Sequence, residues 1–255
     1  MHGRVGGDAV GTVAQAGNNL LRALRPADLA ILDPYLEPWI GRRGEIIYEP
    51  GYTVTSVYFP CASSMISYLV VLQNGMGVEA GLVGREGAVG GMVSRGRLPA
   101  FARAEVQFPG PFLRMAVADL ENAKQRSATL DNLFARYADC MVAQMFQSVA
   151  CNAAHSIEQR TAKWLLAAVE RTGGPNIPLT QDQLAAMLGV GRSYISRVLR
   201  TFKQREILEV HRGELVIRSS DALRGMACEC NESIRSHFEE VLSGVYPNED
   251  ELIAA

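Results

Sequence analysis

The chain has 255 residues, of which 48% are hydrophobic and 20% charged, and its formal net charge is −2. This composition is ordinary for a soluble globular protein, and the length allows two small domains with cores of their own. No stretch approaches the roughly 18 apolar residues of a membrane span, and no apolar leader opens the chain, so we expect a cytoplasmic protein without a membrane partner. The five scattered cysteines fit reduced thiols better than a disulfide framework.

The first half of the chain contains a series of short β-prone segments. Residues 1–18 are rich in Gly and Ala and are predicted to form a disordered tail, and residues 19–33 form short helices around Pro26. The β-prone segments that follow are residues 46–48, 54–59, 65–72, 77–83, 102–108 and 112–115. Turn signals such as Pro50-Gly51 and Pro109-Gly110 separate them. Short strands with turns every 8–12 residues or so predict a β-sandwich or barrel, here over residues 19–116.

Two helices are predicted next, over residues 116–126 and 128–152, and together they form a helical unit that we place at residues 117–153. The second runs without Gly or Pro, and its apolar side chains are Leu130, Leu133, Phe134, Tyr137, Met141, Met145 and Val149. They cover an arc of about 160°, which is wider than one packing seam. The helix therefore either lies between its own β-domain and a second copy of the chain, or is an ordinary core helix.

Residues 180–203 have the pattern of a helix, a tight turn and a second helix. Thr180 is a good N-cap, and Gln183 stands where a capping box places Glu or Gln. Gly189 suits the turn, because glycine adopts the left-handed conformation at least cost. The second helix has an apolar face at i, i+3, i+4 and i+7, formed by Ile195, Val198, Leu199 and Phe202. We interpret this segment as a helix-turn-helix.

The opposite face of the second helix is polar and basic, consisting of Arg192, Ser193, Ser196, Arg197, Arg200 and Lys203. Such a face fits the major groove of DNA. Residues 207–211 and 214–218 are β-prone and are joined by Arg212-Gly213, which predicts a hairpin wing. Residues 155–220 contain ten Lys/Arg against six Asp/Glu, a net charge of +4 in an acidic chain, where phosphate contact would need it.

The C-terminal segment, residues 221–255, is acidic, with eight Asp/Glu against two Arg, and residues 221–242 are predicted to be one helix. Cys228 and Cys230 raise the question of a metal site. On a helix, side chains two residues apart point about 200° away from each other, which disfavours a shared ion. No metal site is predicted.

Together these parts resemble the Crp/Fnr superfamily of bacterial transcription regulators. The segment EIIYEPGYTVTSVYFP (45–60) is similar to the start of the family's β-roll, and GREGAVGG (84–91) to its Gly-Glu turn. EQRTAKWLLAAVE (158–170) resembles the first helix of its DNA-binding domain, and residues 179–208 match its helix-turn-helix without a gap. The resemblance implies an α+β fold: an N-terminal β-roll (double-stranded β-helix), a long dimerisation helix and a C-terminal winged helix-turn-helix over residues 154–220.

The resemblance also implies a sequence-specific regulator that binds a palindromic DNA site as a homodimer and contacts RNA polymerase. The implied dimer interface consists of Leu130, Leu133, Phe134, Tyr137, Met141 and Met145. Base-reading positions fall on Arg192, Ser193, Ser196 and Arg197, and many members have Glu where Ser193 stands. Thr180, Arg200 and Lys203 suit phosphate contact.

The effector cannot be identified from the sequence. Members that bind cyclic AMP use a glutamate and an Arg-Ser or Arg-Thr pair, for which this chain offers Glu86 and Arg103, but Ala104 follows the arginine. We therefore do not expect the usual response to cyclic AMP. Neither an iron–sulfur cluster nor haem is expected, since no cysteine precedes Cys61 and residues 3–154 contain no histidine.

The competing class is a cupin-like β-barrel enzyme with a helical appendage. Its metal site would need two or three histidines with a carboxylate. Because the β-region has no histidine, this class is disfavoured and the chain is not predicted to be an enzyme.

Overall fold

A computed structural model describes residues 17–73, 75, 77–93 and 96–246. The predicted tail, residues 1–18, lies outside the described residues except for its last two. Asn18 is buried, caps helix α1 (Asn19–Arg22), and donates from Nδ2 to the carbonyls of Pro60 and Gly87 at 2.8 and 2.9 Å. The folded domain therefore includes Asn18, one residue before the predicted boundary.

Helix α2 (Pro26–Leu32) leads into the roll, whose described residues include seven strands in two antiparallel sheets. The strands are β1 (Glu37–Gly41), β2 (Ile46–Tyr48), β3 (Ser56–Pro60), β4 (Met65–Val71), β5 (Gly77–Val83), β6 (Arg103–Phe108) and β7 (Gly110–Ala116). One sheet has the order β1-β7-β3 and the other β2-β6-β4-β5. The predicted segments coincide with β2 to β7. Strand β1 was not predicted, because its pairing with β7, with Trp39 opposite Phe112, comes from residues distant in sequence.

The two sheets enclose one hydrophobic core with helices packed on its edge. Its fully buried side chains include Phe59, Ile66, Val106, Phe112 and Leu113. Burying one such side chain contributes about 1.5–3 kcal/mol. This core holds the sheets as a β-roll, as predicted.

Helix α3 (Val117–Arg126) and the long helix α4 (Ala128–Ala154) follow the roll. Ser127 caps α4 by accepting the N–H of Leu130. Five of the six side chains predicted for the dimer interface are buried in the core of their own chain: Leu130, Leu133, Phe134, Tyr137 and Met141. Only Met145 is exposed. The assignment of those five to a subunit interface is therefore corrected.

Tyr137 shows why this part of α4 faces inward. Its hydroxyl donates to the carbonyl of Ala88 and accepts the N–H of the same residue, both at 3.0 Å. Both groups are buried, and a buried polar group needs such partners. The α4 face near Tyr137 thus closes the edge of the roll.

The C-terminal domain begins with α5 (Ile157–Thr172). Its other elements are β8 (Asn176–Ile177), α6 (Gln181–Leu188), α7 (Arg192–Gln204), β9 (Leu208–His211) and β10 (Glu214–Ile217). The predicted helix pair and hairpin are confirmed. The short strand β8 was not predicted; it makes the wing a three-stranded sheet of order β8-β10-β9.

The predicted single C-terminal helix is wrong: the structure has α8 (Ser220–Met226) and α9 (Cys230–Ser243). Residues 227–229 interrupt them, so Cys228 precedes the helix on which Cys230 stands. The two thiols are therefore not held 200° apart, and the geometric argument against a shared ion does not apply. Helix α9 packs along α4.

None of the helices in the described part of the chain combines the length and the hydropathy that a membrane span requires.

Candidate nucleic-acid interface

The helix-turn-helix is built by local hydrogen bonds at the ends of α6. Thr180 accepts the N–H of Gln183 at 3.2 Å, and the Gln183 side chain accepts the N–H of Thr180 at 3.0 Å, which completes a capping box. At the other end, Gly189 has a φ of +68°, and the N–H of Val190 returns to the carbonyl of Ala185. The turn directs the chain into α7, as the sequence predicted.

Helix α7 is fixed by its apolar face. Ile195, Val198, Leu199 and Phe202 are all buried, at 0–1% exposure. They belong to a core shared with α5, α6 and the wing. The rotation of α7 is therefore set, and its other face must point to solvent.

The outward face of α7 is polar and basic, as predicted, and its exposed members are Arg192, Ser193, Arg197, Arg200 and Lys203. Arg192 lies 3.3 Å from Asp182 of α6, in an exposed pair with 68% and 63% of the side chains accessible. Such pairs contribute about 0–1 kcal/mol, so the guanidinium of Arg192 can exchange this carboxylate for another acceptor.

Two predicted contact residues are engaged within the protein. Ser196 is half-buried and donates to Gln181 at 2.7 Å, which ties α7 to the start of α6. The hydroxyl of Thr180 is used in the capping box. Both residues thus have positioning roles in the structure.

Sequence reasoning missed Tyr194 and the side chain of Gln181. The guanidinium of Arg197 lies over the Tyr194 ring, 4.9 Å from its centroid. This contact holds the arginine above the helix surface. An exposed aromatic three residues before an arginine on the same helix is the signal that could have identified the pair.

The wing places additional charge beside α7. Gly213, with φ of +80°, turns β9 into β10 and leaves Arg212 exposed. At the base of the wing, Glu209 lies 2.8 Å from Arg218 and 3.1 Å from His211. The Arg218 hydrogen bond lowers the pKa of the Glu209 carboxyl, so the glutamate stays ionised at the wing.

The two candidate effector residues have different partners. Glu86 accepts from Arg171 of α5 at 2.8 Å and from the N–H of Gly84 at 3.0 Å. Burial acts to raise the pKa of the Glu86 carboxyl. The charge and hydrogen bond of Arg171, together with the backbone hydrogen bonds, have the larger opposite effect, so the pKa is lowered. Arg103 instead pairs with Glu49 at 2.9 Å. The structure thus commits the two residues to separate ion pairs and does not bring them together as one ligand site.

The Glu86–Arg171 pair borders a cavity of about 630 Å³ between the roll, α4, α5 and α9. Its lining is mostly apolar and carries several cations, among them Arg85, Arg160 and Lys163. Arg103 does not line it. At the same junction, Glu79 of β5 accepts from Trp164 of α5 at 2.8 Å. The C-terminal domain is therefore docked on the roll through these polar contacts and through an apolar core that includes Met65, Leu82 and Phe108 of the roll.

Residues 159–226 match the family model of the Crp-like helix-turn-helix domain. A search of curated proteins finds no match. Among solved structures, FixK2 from Bradyrhizobium japonicum superposes with a TM-score of 0.64 at 17% identity, covering 76% of this chain and 98% of that one.

A second match is the c-di-GMP responsive regulator CLP from Xanthomonas campestris, with a TM-score of 0.61 at 13% identity, covering 76% of this chain and 100% of that one. A CRP/FNR-family transcriptional regulator from Thermus thermophilus, TTHA1359, gives a TM-score of 0.58 at 16% identity, covering 75% and 98%. The chain therefore has the fold of the Crp/Fnr superfamily of transcription regulators and carries a Crp-like helix-turn-helix DNA-binding domain.

Proposed function

We propose that the protein is a cytoplasmic transcription regulator that binds a palindromic DNA site as a homodimer. The observation that carries this proposal is the geometry of α7. Its apolar face is buried in the core, and its exposed face presents arginine, serine and lysine beside a wing whose turn exposes Arg212. A helix of this kind can enter a major groove without any rearrangement of its own domain.

Within this interface, Arg197 is the residue proposed to read a base. Arginine can donate two hydrogen bonds to guanine O6 and N7, and the Tyr194 ring already holds its guanidinium outward. Arg192 and Ser193 lie one turn earlier, at the N-terminal end that contacts bases in such helices. Arg200 and Lys203 lie further along and suit phosphate contact.

The second copy is proposed to dock on the C-terminal half of α4. Exposed apolar side chains there are Val142, Met145, Phe146 and Val149, at 46%, 43%, 71% and 70%. The spacing along this stripe is 3, 4, 3 and 4 residues, which is the heptad pattern of a coiled-coil seam. The positions that give this spacing are Ala135, Ala138, Val142, Met145 and Val149. A two-fold axis pairs the same stripe with itself, so a second copy is the occupant that matches it.

DNA recognition is tested by selection from random sequence followed by binding assays. We expect a palindrome whose half-site centres lie about 10 bp or a multiple apart, because two recognition helices reach major grooves one turn apart. Arg197→Ala should cost about 1–3 kcal/mol and relax preference at one base step in each half-site. Lys203→Ala should weaken all sequences alike and reduce the salt dependence.

Arg224→Ala is the matched control, since Arg224 is exposed on α8 and pairs with Glu170 away from α7. It should leave DNA binding unchanged. A selection that returns no motif, or equal losses for Arg197→Ala and Arg224→Ala, would contradict the proposed interface.

The dimer is tested with the double variant Val142→Glu, Val149→Glu. Two charges buried in a seam without partners should prevent association, so light scattering should report a monomer. Ile40→Glu is the control, because Ile40 is an equally exposed apolar side chain, at 68%, on the roll. A double variant that remains dimeric would exclude this face.

We also propose that cyclic AMP does not bind through Glu86 and Arg103. Each already has an ion-pair partner, and Arg103 lacks an adjoining hydroxyl. Calorimetric titration with cyclic AMP and cyclic GMP should show no micromolar binding that depends on Glu86 or Arg103 and tightens DNA affinity. Micromolar binding that disappears in Arg103→Ala would overturn this view.

RNA polymerase is the proposed protein partner of the regulator, which would either recruit the polymerase to the promoter or exclude it.

A further inference from the structure

Four metal-binding residue types meet where α4 ends. Cys151 lies on the last turn of α4, His155 directly follows that helix, and Cys228 and Cys230 flank the start of α9. The ligand atoms of the four residues all lie within 4.8 Å of one another. The three cysteines are buried, at 0%, 6% and 0% exposure, while the histidine side chain is 20% exposed.

We propose that Cys151, His155, Cys228 and Cys230 form a mononuclear, tetrahedral zinc site. Three thiolates and one imidazole are a ligand set that Zn²⁺ adopts in structural sites. All five cysteines of the chain are free thiols in the structure, so these ligands are available.

Two of the six distances between ligand atoms match the edges of a zinc tetrahedron. Zn–S bonds of about 2.3 Å place two sulfurs about 3.8 Å apart at tetrahedral angles, and Zn–N of about 2.05 Å gives a sulfur-to-nitrogen edge of about 3.6 Å. The Cys151 and Cys228 sulfurs are 3.7 Å apart, and Cys230 Sγ lies 3.5 Å from His155 Nδ1. The remaining distances, which reach at most 4.8 Å, would shorten by about 1 Å or less when an ion binds at the centre.

Neighbouring polar groups orient the ligands as in known zinc sites. His155 turns Nδ1 toward Cys230 and Nε2 toward Glu229, whose Oε1 is 3.7 Å away. A carboxylate on the far nitrogen is the usual partner of a metal-bound histidine. Gln147 donates from Nε2 to the Cys230 sulfur at 3.1 Å, a bond that strengthens when the sulfur is a thiolate.

Two other uses of the thiols fit less well. A Cys151–Cys228 disulfide would leave Cys230 and His155 without a shared role. A polynuclear iron–sulfur cluster distributes its ligands over several irons, whereas these four ligand atoms lie within 4.8 Å of one another, close enough to share a single ion.

The position of the site suggests what the metal would do. It joins the end of the long helix, the start of the DNA-binding domain and the C-terminal helix α9. Zinc would therefore fix the angle at which the DNA-binding domain leaves α4. This inference does not depend on the proposed DNA sequence preference.

The full-length protein, purified under reducing conditions, is tested by elemental analysis and by exchange with cobalt. We expect one zinc per chain, and after exchange a cobalt spectrum with tetrahedral d–d bands and a sulfur-to-cobalt charge-transfer band. Cys228→Ser should lose both signals. Cys140→Ser should keep them, because Cys140 is equally buried but lies outside the cluster.

Because Cys228→Ser could fail to fold, the wild-type cobalt spectrum is the second measurement and needs no variant. Reduced protein that takes up neither zinc nor cobalt would overturn the proposal, as would iron with sulfide in place of zinc. Equal metal content in Cys228→Ser and wild type would do the same.

Discussion

The half-buried carboxyl of Glu79 gives the sharpest test of how the DNA-binding domain is held on the roll. It accepts from Trp164 Nε1 and from Ser67 Oγ, both at 2.8 Å. Burial raises its pKa from 4.5 to about 7, although both hydrogen bonds act in the opposite direction. Between pH 4.5 and about 7 the folded protein therefore holds a proton there that the unfolded chain releases.

The sign of the effect on stability follows from that proton. The folded state binds more protons than the unfolded state between pH 4.5 and about 7, so the free energy of unfolding decreases as the pH rises through this window. The rise of the Glu79 pKa from 4.5 to about 7 corresponds to a loss of about 3 kcal/mol in the free energy of unfolding across this window, because each tenfold change in the protonation equilibrium is worth ~1.36 kcal/mol. This is an upper value, because part of the side chain contacts water.

Glu79→Gln keeps the shape of the side chain and removes its charge. The amide oxygen can still accept from Trp164, so we expect a variant that is about 1–3 kcal/mol more stable than wild type at pH 8 and equal to it at pH 5. Urea unfolding followed by tryptophan fluorescence at four pH values measures this difference.

Glu86→Gln is a control of opposite sign. Burial works to raise the pKa of Glu86, but Arg171 more than compensates, and the pKa is lowered. Its contribution to stability is therefore present above the unfolded pKa and lost in acid. Glu86→Gln should destabilise the protein at pH 7. If the pH dependence of Glu79→Gln runs parallel to that of wild type, the account of Glu79 is wrong.

Three further substitutions test the interface and the roll. Phe202→Ala should lower the free energy of unfolding in urea by about 3–5 kcal/mol, since it leaves a cavity at a fully buried position on the inner face of α7. Thr180→Ala should cost about 1 kcal/mol through loss of the cap and leave base preference in the selection assay unchanged; a relaxed preference would mean that Thr180 reads DNA. Gly87→Ala should lower the melting temperature, at a cost of about 1–3 kcal/mol, because the new methyl would overlap the Tyr137 hydroxyl; an unchanged value would refute the tight contact.

Local sequence was sufficient wherever the physical cause lies within a few residues. The capping box of Thr180 and Gln183, the left-handed turn at Gly189 and the apolar spacing of α7 involve neighbours in the chain. Hydrogen bonds and side-chain periodicity at that range act the same way in any context. The helix-turn-helix and its outward residues could therefore be predicted from the sequence.

Tertiary structure decided which surfaces are covered and which distant groups meet. The apolar arc of α4 was evident from the sequence, yet only packing assigned Tyr137 to the protein's own roll and left Val149 exposed. Likewise, Glu86 meets Arg171, and Cys151 meets Cys228, across large sequence separations. Periodicity specifies that a face is apolar, but the partner of that face, and the partner of a buried charge or thiol, depends on how whole elements are brought together.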